Sequence, residues 1–460
     1  MVSVPVPSSH AEGMDIDPTR TNVATELLQT MIRNECVNDG TVESGEEVRN
    51  SDLLETWLEG SGLDCQYFES APGRRSIVSR IEGSDPDAPS LCLMGHTDVV
   101  PVTPSGWSRD PFGGELIDGE VWGRGALDML SQTAAMATAF RHLADTGFRP
   151  KGDLIFFGVA DEEAGGNWGA RWMLDNNLDA VRADYVITEW GGVPSSTPSG
   201  TALSLNVAEK GVAWQRLKVK GTPSHGSMPY GTDNALVTAA EVVRRLAEYR
   251  PTPDIHDLWR HQVANLNYDD EIKEAMLDPD RLDDALADLP NQLHARTLHA
   301  CSHTTFSPNV AHGGTKTNTV PDEVIIELDI RTLPGETPDD VNEHLRLALG
   351  DLHGVIDVEP IHLDMATRSP TETPLWEVLS DVMLSAYPGA TIQPSLIVGG
   401  TDARFYRAAG SVAYGAALFS PSMQPEVFAD RFHGNDERID VESIGLTTEL
   451  FLTTAQRMLG

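Results

Sequence analysis

Positive charge is what this 460-residue chain has least of: 33 Lys and Arg stand against 70 Asp and Glu, a formal net charge of -37. A field of that sign repels phosphate backbones and anionic lipid headgroups, so neither nucleic acid nor a membrane surface is expected as a partner. The acidity itself reads as a hydrated surface and says nothing about chemistry. Cysteine is scarce too. Cys36, Cys65, Cys92 and Cys301 form no C-x-x-C pair, and their spacing suggests no disulfide framework. Cys92 falls in an apolar run and reads as a small core residue, and a reducing cytoplasm is the expected compartment. No run approaches the ~18 apolar residues that mark a membrane span. The opening MVSVPVPSSHAEGMDIDPTR lacks the basic start and apolar stretch of a signal peptide, and residues 1–18 are expected to be a disordered tail.

What is present is an alternation of helical and strand-like segments long enough for two or three domains. Val23, Leu27, Leu28, Met31 and Ile32 mark one helix face, and Leu53, Leu54 and Leu58 a second. The runs RSIVSRI, SLCLM, DLIFFGVA and DYVIT are strand-like, with the helical AAMATAFRHLA among them. Fully apolar strands alternating with helices indicate an α/β layer with a mostly parallel sheet. After the Pro/Gly/Ser-rich WGGVPSSTPSG the texture changes. ALSLNVAEKGVAWQRLKVKG alternates like an antiparallel strand pair. Helix NALVTAAEVVRRLAEY follows, then a polar, Asp-rich insertion to about 298, then strand EVIIELDIRT, helix PDDVNEHLRLAL and strand VIDVEPIHL. Helix LWEVLSDVML and strand SLIVGG resume the first texture. The expected organisation is an α/β catalytic domain (19–204 and 366–460) interrupted by a smaller α+β lid or dimerisation domain (205–365).

Five short stretches carry chemistry. In GHTDVVP, an apolar strand delivers His96 and Asp98 at its C-terminal end, where open α/β sheets place ligands. Residues two apart on an extended chain point the same way, so a carboxylate at 98 suits the support of a metal-binding imidazole at 96. Taken alone, the pair fits a turn Asp beside a structural His better than a metal site. GRGALDML puts Asp128 just before a helix, either as an N-cap or as an acid with two oxygens to share. Asp161, Glu162 and Glu163 end a buried strand, which is costly unless the acids are solvated, paired or metal-bound. Glu189 ends the next one, and His433 stands late in the chain in RFHGNDE. Imidazole with carboxylates favours Zn2+, with Co2+ or Mn2+ as substitutes.

The order GHTDVVP, GRGALDM, DEE-A-GG, an acid after the next strand and a late His resembles the dinuclear zinc hydrolases that include aminoacylase, acetylornithine deacetylase, succinyl-diaminopimelate desuccinylase and glutamate carboxypeptidase. The resemblance spans nearly the whole chain. It implies a two-zinc centre held by His96, Asp128, Glu163, Glu189 and His433, with Asp128 bridging and a cis peptide bond at Asp128–Met129. It implies Asp98 as the acid behind His96. Glu162 is implied as the general base toward a metal-bridging hydroxide that attacks an amide. KGTPSHGSMPYGTDNA resembles the segment whose histidine, here His225, reaches a partner subunit's active site in homodimers. Asn318, Arg331, Gly400, Thr401 and Arg404 match positions that bind a substrate carboxylate.

In that family Glu at the Glu189 position favours removal of an acyl group, and the insertion near 250–300 exceeds what compact desuccinylases carry. The expected reaction is hydrolysis of an N-acyl amino acid or small peptide bearing a free carboxylate. The alternatives are a dipeptidase or carboxypeptidase of the same family and, in a different class, a non-catalytic dimeric binding module.

Overall fold

The computed structural model describes residues 13–460. Of the expected tail, residues 1–12 lie outside the described residues. Asp17 already caps the first helix, Pro18–Arg33, by accepting from the amides of Thr19 and Arg20. Pro18 suits the first helical position because its missing N–H would have had no partner there. The chain forms two compact units, one made of the described residues up to Val207 with 369–395 and 401–460, the other of 208–368 and 396–400.

The first unit is built on a mixed sheet. Its strands run in the order Cys65–Ala71, Arg74–Ile81, Leu154–Val159, Leu91–His96, Tyr185–Thr188, Val412–Gly415, Gly200–Glu209. The middle four are mutually parallel; Arg74–Ile81 and Gly200–Glu209 on either side run antiparallel to them, and the edge strand Cys65–Ala71 is antiparallel to Arg74–Ile81. Leu91–His96 and Leu154–Val159 are buried at every residue, as parallel strands covered on both faces must be. Helix Leu130–Asp145 packs on this sheet beside Val441–Leu459 and Pro18–Arg33. Gly95 makes the close approach possible, because a Cβ there would collide with the Thr133 hydroxyl. That hydroxyl instead donates to the His96 carbonyl at 2.8 Å, fixing the end of the strand that carries the imidazole.

The second unit is an antiparallel sheet ordered Thr305–Gly313, Glu323–Thr332, Gly211–Lys220, Ile356–Asp364. Its buried face, with Leu217, Val219, Ile326 and Leu328, packs on Val242 and Leu246 of helix Ala235–Glu248 and on Leu345 and Leu349 of helix Pro338–Leu349. The polar insertion folds into four short helices, Asp257–Asn265, Asp270–Met276, Leu282–Ala287 and Gln292–Ser302. Trp259, in the first of them, is fully buried, and its indole N–H donates to the Met276 carbonyl of the second at 2.8 Å.

One expectation fails here. The segment 202–221 is not an antiparallel pair. Gly200–Glu209 pairs with Ser195–Thr197 and Val412–Gly415, whereas Gly211–Lys220 pairs with Glu323–Thr332 and Ile356–Asp364. Only the latter alternates; the former is buried almost continuously from Ala202 to Glu209. Two strands of different burial period follow one another in sequence and together look like one hairpin. Among the described residues no helix is long and apolar enough to cross a membrane.

Candidate metal centre

The parallel strands of the first unit bring their C-terminal ends to one edge. His96 is the last residue of its strand and lies opposite Val159. Glu162 and Glu163 follow two residues behind the end of that neighbouring strand in a short 3-10 turn, Glu162–Ala164. Glu189 is the first residue past Tyr185–Thr188. Asp128 sits two residues before helix Leu130–Asp145, with the Asp128–Met129 peptide bond cis. His433 follows the short helix Pro425–Arg431. Asp161, Trp190 and His433 all adopt the left-handed backbone region, at φ 68°, 70° and 53°. For non-glycine residues that conformation is uncommon and is held by surrounding structure.

These side chains form two triads that share one residue. His96 Nε2 lies 3.1 Å from Asp128 Oδ1 and 3.7 Å from Glu189 Oε2. His433 Nε2 lies 3.0 Å from Asp128 Oδ2 and 3.4 Å from Glu163 Oε2. Each triad offers one ligand atom per residue, all within 4.8 Å of one another. Asp128 therefore turns a different oxygen toward each imidazole. Glu163 Oε1 and Asp98 Oδ1 are buried and have no hydrogen-bond partner. Two imidazoles, three carboxylates and an orphaned carboxylate oxygen suit divalent cations with a preference for nitrogen and oxygen.

A second layer holds these groups still. His96 Nδ1 faces the Asp98 backbone carbonyl at 3.0 Å and Asp98 Oδ1 at 3.5 Å. Since a carbonyl only accepts, Nδ1 carries a proton, and Nε2 is the nitrogen turned toward Asp128 and Glu189. Asp98 Oδ2 accepts from Asn38 Nδ2 at 2.8 Å and from the Glu163 amide at 3.1 Å. Asn38 accepts in turn from Arg74 at 2.9 Å, and Arg74 donates to Glu47 at 2.6 Å. Beneath Asp128, Glu437 accepts from the amides of Leu127 (2.7 Å) and Asp128 (3.1 Å) and pairs with Arg124 at 2.6 Å. Trp190 turns its indole N–H to Asp128 Oδ1 at 3.4 Å and packs edge-on against Phe432. The motif reading did not single out Asn38, Glu47, Arg74, Arg124 or Glu437. Of these, Arg124 and Glu437 had a signal, their places inside GRGALDML and RFHGNDE.

So much buried acid distorts the titration of every group. Burial and the charge of Asp128 push Glu163 up to about 7. Burial pushes Glu189 up to about 8 against the pull of His96. Glu162 is held well above the usual carboxylate range by burial and by Glu189. Burial opposes charge on His433, but Asp128 and Glu163 outweigh it and raise the imidazole to about 10. The same contest, with Asp128, Asp98 and Glu189 winning over burial, raises His96 well above its ordinary value. The cluster without cations keeps protons it would otherwise lose, which is the behaviour of a site arranged for positive charge.

The remaining residues singled out from sequence lie elsewhere. His225 is exposed in the second unit on the two-residue strand Ser224–His225, paired with Thr319–Val320. Its Nδ1 faces the Ser227 hydroxyl at 2.7 Å. Asn318 adjoins the same pairing, its carbonyl accepting from the Gly226 amide at 2.8 Å. Arg331, on strand Glu323–Thr332, donates to Asp329 at 2.8 Å. Gly400 is the last residue of the second unit's short segment. In the first unit, Thr401 is buried, and Arg404 donates to the carbonyls of Thr401 (2.6 Å) and Gly165 (2.7 Å).

The model of the Peptidase family M20/M25/M40 matches residues 92–457. A probable carboxypeptidase S-like 2 from Dictyostelium discoideum is 26% identical over 80% of this chain and 71% of its own. Aminoacylase-1 from Sus scrofa is 27% identical over 84% of each. The crystal structure of an M20 family metallo-carboxypeptidase, Sso-CP2 from Sulfolobus solfataricus, superposes with a TM-score of 0.69, covering 97% of this chain and 99% of that one at 18% identity.

Proposed function

The chain belongs to the Peptidase family M20/M25/M40 and is a hydrolytic enzyme acting on C–N bonds, and from that premise we propose that it is a two-zinc hydrolase of N-acyl amino acids. The observation that carries the two-metal reading is Asp128, whose two oxygens face two imidazoles in separate triads. His96, Asp128 and Glu189 would hold one cation, and Asp128, Glu163 and His433 the other. Such cations, when bound, acidify a water molecule and polarise the amide carbonyl.

The chain's own residues do the rest. Glu162 accepts the proton of the attacking water and passes it to the leaving nitrogen. Its raised affinity for protons, from burial and Glu189, suits it to both steps. Asp98, through Asn38 and the Glu163 amide, keeps His96 and Glu163 in register. His225 is the oxyanion donor of this reading, supplied by a homodimer partner. Asn318, Arg331, Gly400, Thr401 and Arg404 are its candidates for the substrate carboxylate, a role that Arg331 and Arg404 would take by exchanging present partners. Cytoplasmic residence accords with four cysteines outside any disulfide.

The substrate choice rests on Glu189 and on kinship with aminoacylase-1, and kinship with a carboxypeptidase S-like protein favours the peptidase alternative. A panel of acetylated, succinylated and long-chain acylated amino acids beside dipeptides, with zinc or cobalt, separates them. An acyl amino acid should be the best substrate. Dipeptides cleaved faster than every acyl amino acid would overturn the deacylase assignment, and no cleavage of either would leave the non-catalytic alternative.

Zinc affinity should depend on pH. The cation replaces protons held on His433 near about 10, on Glu189 near about 8 and on Glu163 near about 7. Lower pH refills those sites, so affinity should weaken as pH falls through about 8 and again through about 7. Near neutrality binding should release protons, seen in calorimetry as a heat that varies with the buffer's ionisation enthalpy. A buffer-independent heat and flat affinity would contradict the assigned ligands.

A further inference from the structure

The second unit carries a metal-ligating cluster of its own. Asp283, His299 and His303 each place a ligand atom within 4.8 Å of the others. Asp283 lies on helix Leu282–Ala287, His299 in the last turn of helix Gln292–Ser302, and His303 is the residue just past that helix. Residues four apart share a helix face, and the two imidazole rings stack at 4.0 Å with an interplanar angle of 3°. Asp283 Oδ1 stands 3.3 Å from His303 Nε2 and 3.9 Å from His299 Nε2.

The tautomer of His303 makes this more than proximity. Its side chain is 1% exposed. Its Nδ1 lies 3.1 Å from the His299 carbonyl and 2.9 Å from the Ser302 hydroxyl oxygen. That hydroxyl donates to the Leu298 carbonyl at 3.1 Å. Both neighbours of Nδ1 therefore accept, so Nδ1 bears the proton and Nε2 of the neutral ring bears a lone pair. That Nε2 is buried without a hydrogen-bond partner. It stands 3.3 Å from Asp283 Oδ1 without a hydrogen bond between them, a pairing of two lone-pair atoms that a cation would relieve. Fixing the outward nitrogen by a carbonyl on the other side is how proteins orient metal-binding histidine.

We propose that Asp283, His299 and His303 bind a divalent transition-metal ion, with zinc the best match to two imidazoles and one carboxylate. Asp283 is exposed, so solvent can complete the coordination. A metal lies in the plane of each ring that binds it, so binding would require the half-buried His299 to tilt out of the parallel stack. Lys210 and Arg250 are the cations whose charge reaches these rings. The Lys210 ammonium is held by the carbonyls of Ala300 (2.8 Å) and His303 (2.5 Å) at the negative end of the same helix. The ion would join two short helices of the insertion, a structural task independent of hydrolysis.

Zinc content of the full chain after equilibration in a zinc-buffered solution tests this. Asp283→Asn and His299→Gln should each bind one zinc fewer per chain than the unaltered protein, with turnover of the best acyl substrate unchanged. The count is a difference, so it stands whether or not the catalytic assignment does. Both variants binding as much zinc as the unaltered chain would overturn the proposal and leave an Asp–His ion pair. Should a variant fail to fold, zinc-edge anomalous scattering from crystals of the unaltered protein decides: a peak beside His303 Nε2 supports the site, and its absence there overturns it.

Discussion

Glu162→Gln should lower kcat on an N-acyl amino acid by roughly 10²–10⁴-fold, the usual contribution of a positioned general base, and should leave the zinc content intact. Glutamine keeps the shape of the side chain and cannot take a proton. Glu162 belongs to neither ligand triad, so its amide should not disturb metal retention. Steady-state kinetics and metal analysis on one preparation separate the possible failures. Loss of zinc would make Glu162 a ligand. Retained activity would move the proton to Asp402, whose two carboxylate oxygens are buried without hydrogen-bond partners. Burial, against the pull of Arg404, pushes Asp402 up to about 7.

Asp128→Ala should cost more than any single-triad substitution. It removes a ligand from both triads at once, so both cations should be lost. With them should go roughly three or more powers of ten in activity, since a metal's stabilisation of the transition state is worth several kcal/mol and each 1.36 kcal/mol is tenfold. His433→Ala touches one triad and should retain one zinc. The comparison is made by counting zinc in the two variants. Equal zinc in both would mean that Asp128 does not bridge. The alanine also frees the Leu127 and Asp128 amides from no partner, because Glu437 holds the backbone rather than the side chain; the fold should therefore survive.

The sequence exposes the two triads more readily than what supports them. His96, Glu163 and Glu189 stand where apolar runs stop, and a run of buried strand ending in acid is visible without coordinates. Asn38, Arg74 and Glu437 leave no such mark. Their partners lie 60, 36 and 309 residues away, at Asp98, Asn38 and Asp128, and nothing local distinguishes a buried charged residue from a solvated one. The same limit explains the misread hairpin at 202–221. Ala202 to Glu209 is nearly all buried and Gly211 to Lys220 alternates, but over ten residues each the two periods merge into one texture. Lys210, between them, is itself buried and hydrogen-bonded to two carbonyls, where a hairpin turn would have left an exposed charge. Asp98 shows a finer limit. Its spacing from His96 is legible, but the shorter contact to the imidazole comes from its backbone oxygen, which any residue type would supply.

The clasp between Glu437 and the Asp128 loop has a consequence for the order in which this protein can be made. Loop and clasp are 309 residues apart in the chain, and His433 lies in the same late stretch. A nascent chain emerging from the ribosome presents His96, Asp128 and Glu189 long before the residues that complete the second triad and lock the first. Until translation has passed Glu437, the amides of Leu127 and Asp128 lack the carboxylate that accepts from them in the folded chain. Both the clasp on the Asp128 loop and the second triad can therefore form only after His433 and Glu437 have been made.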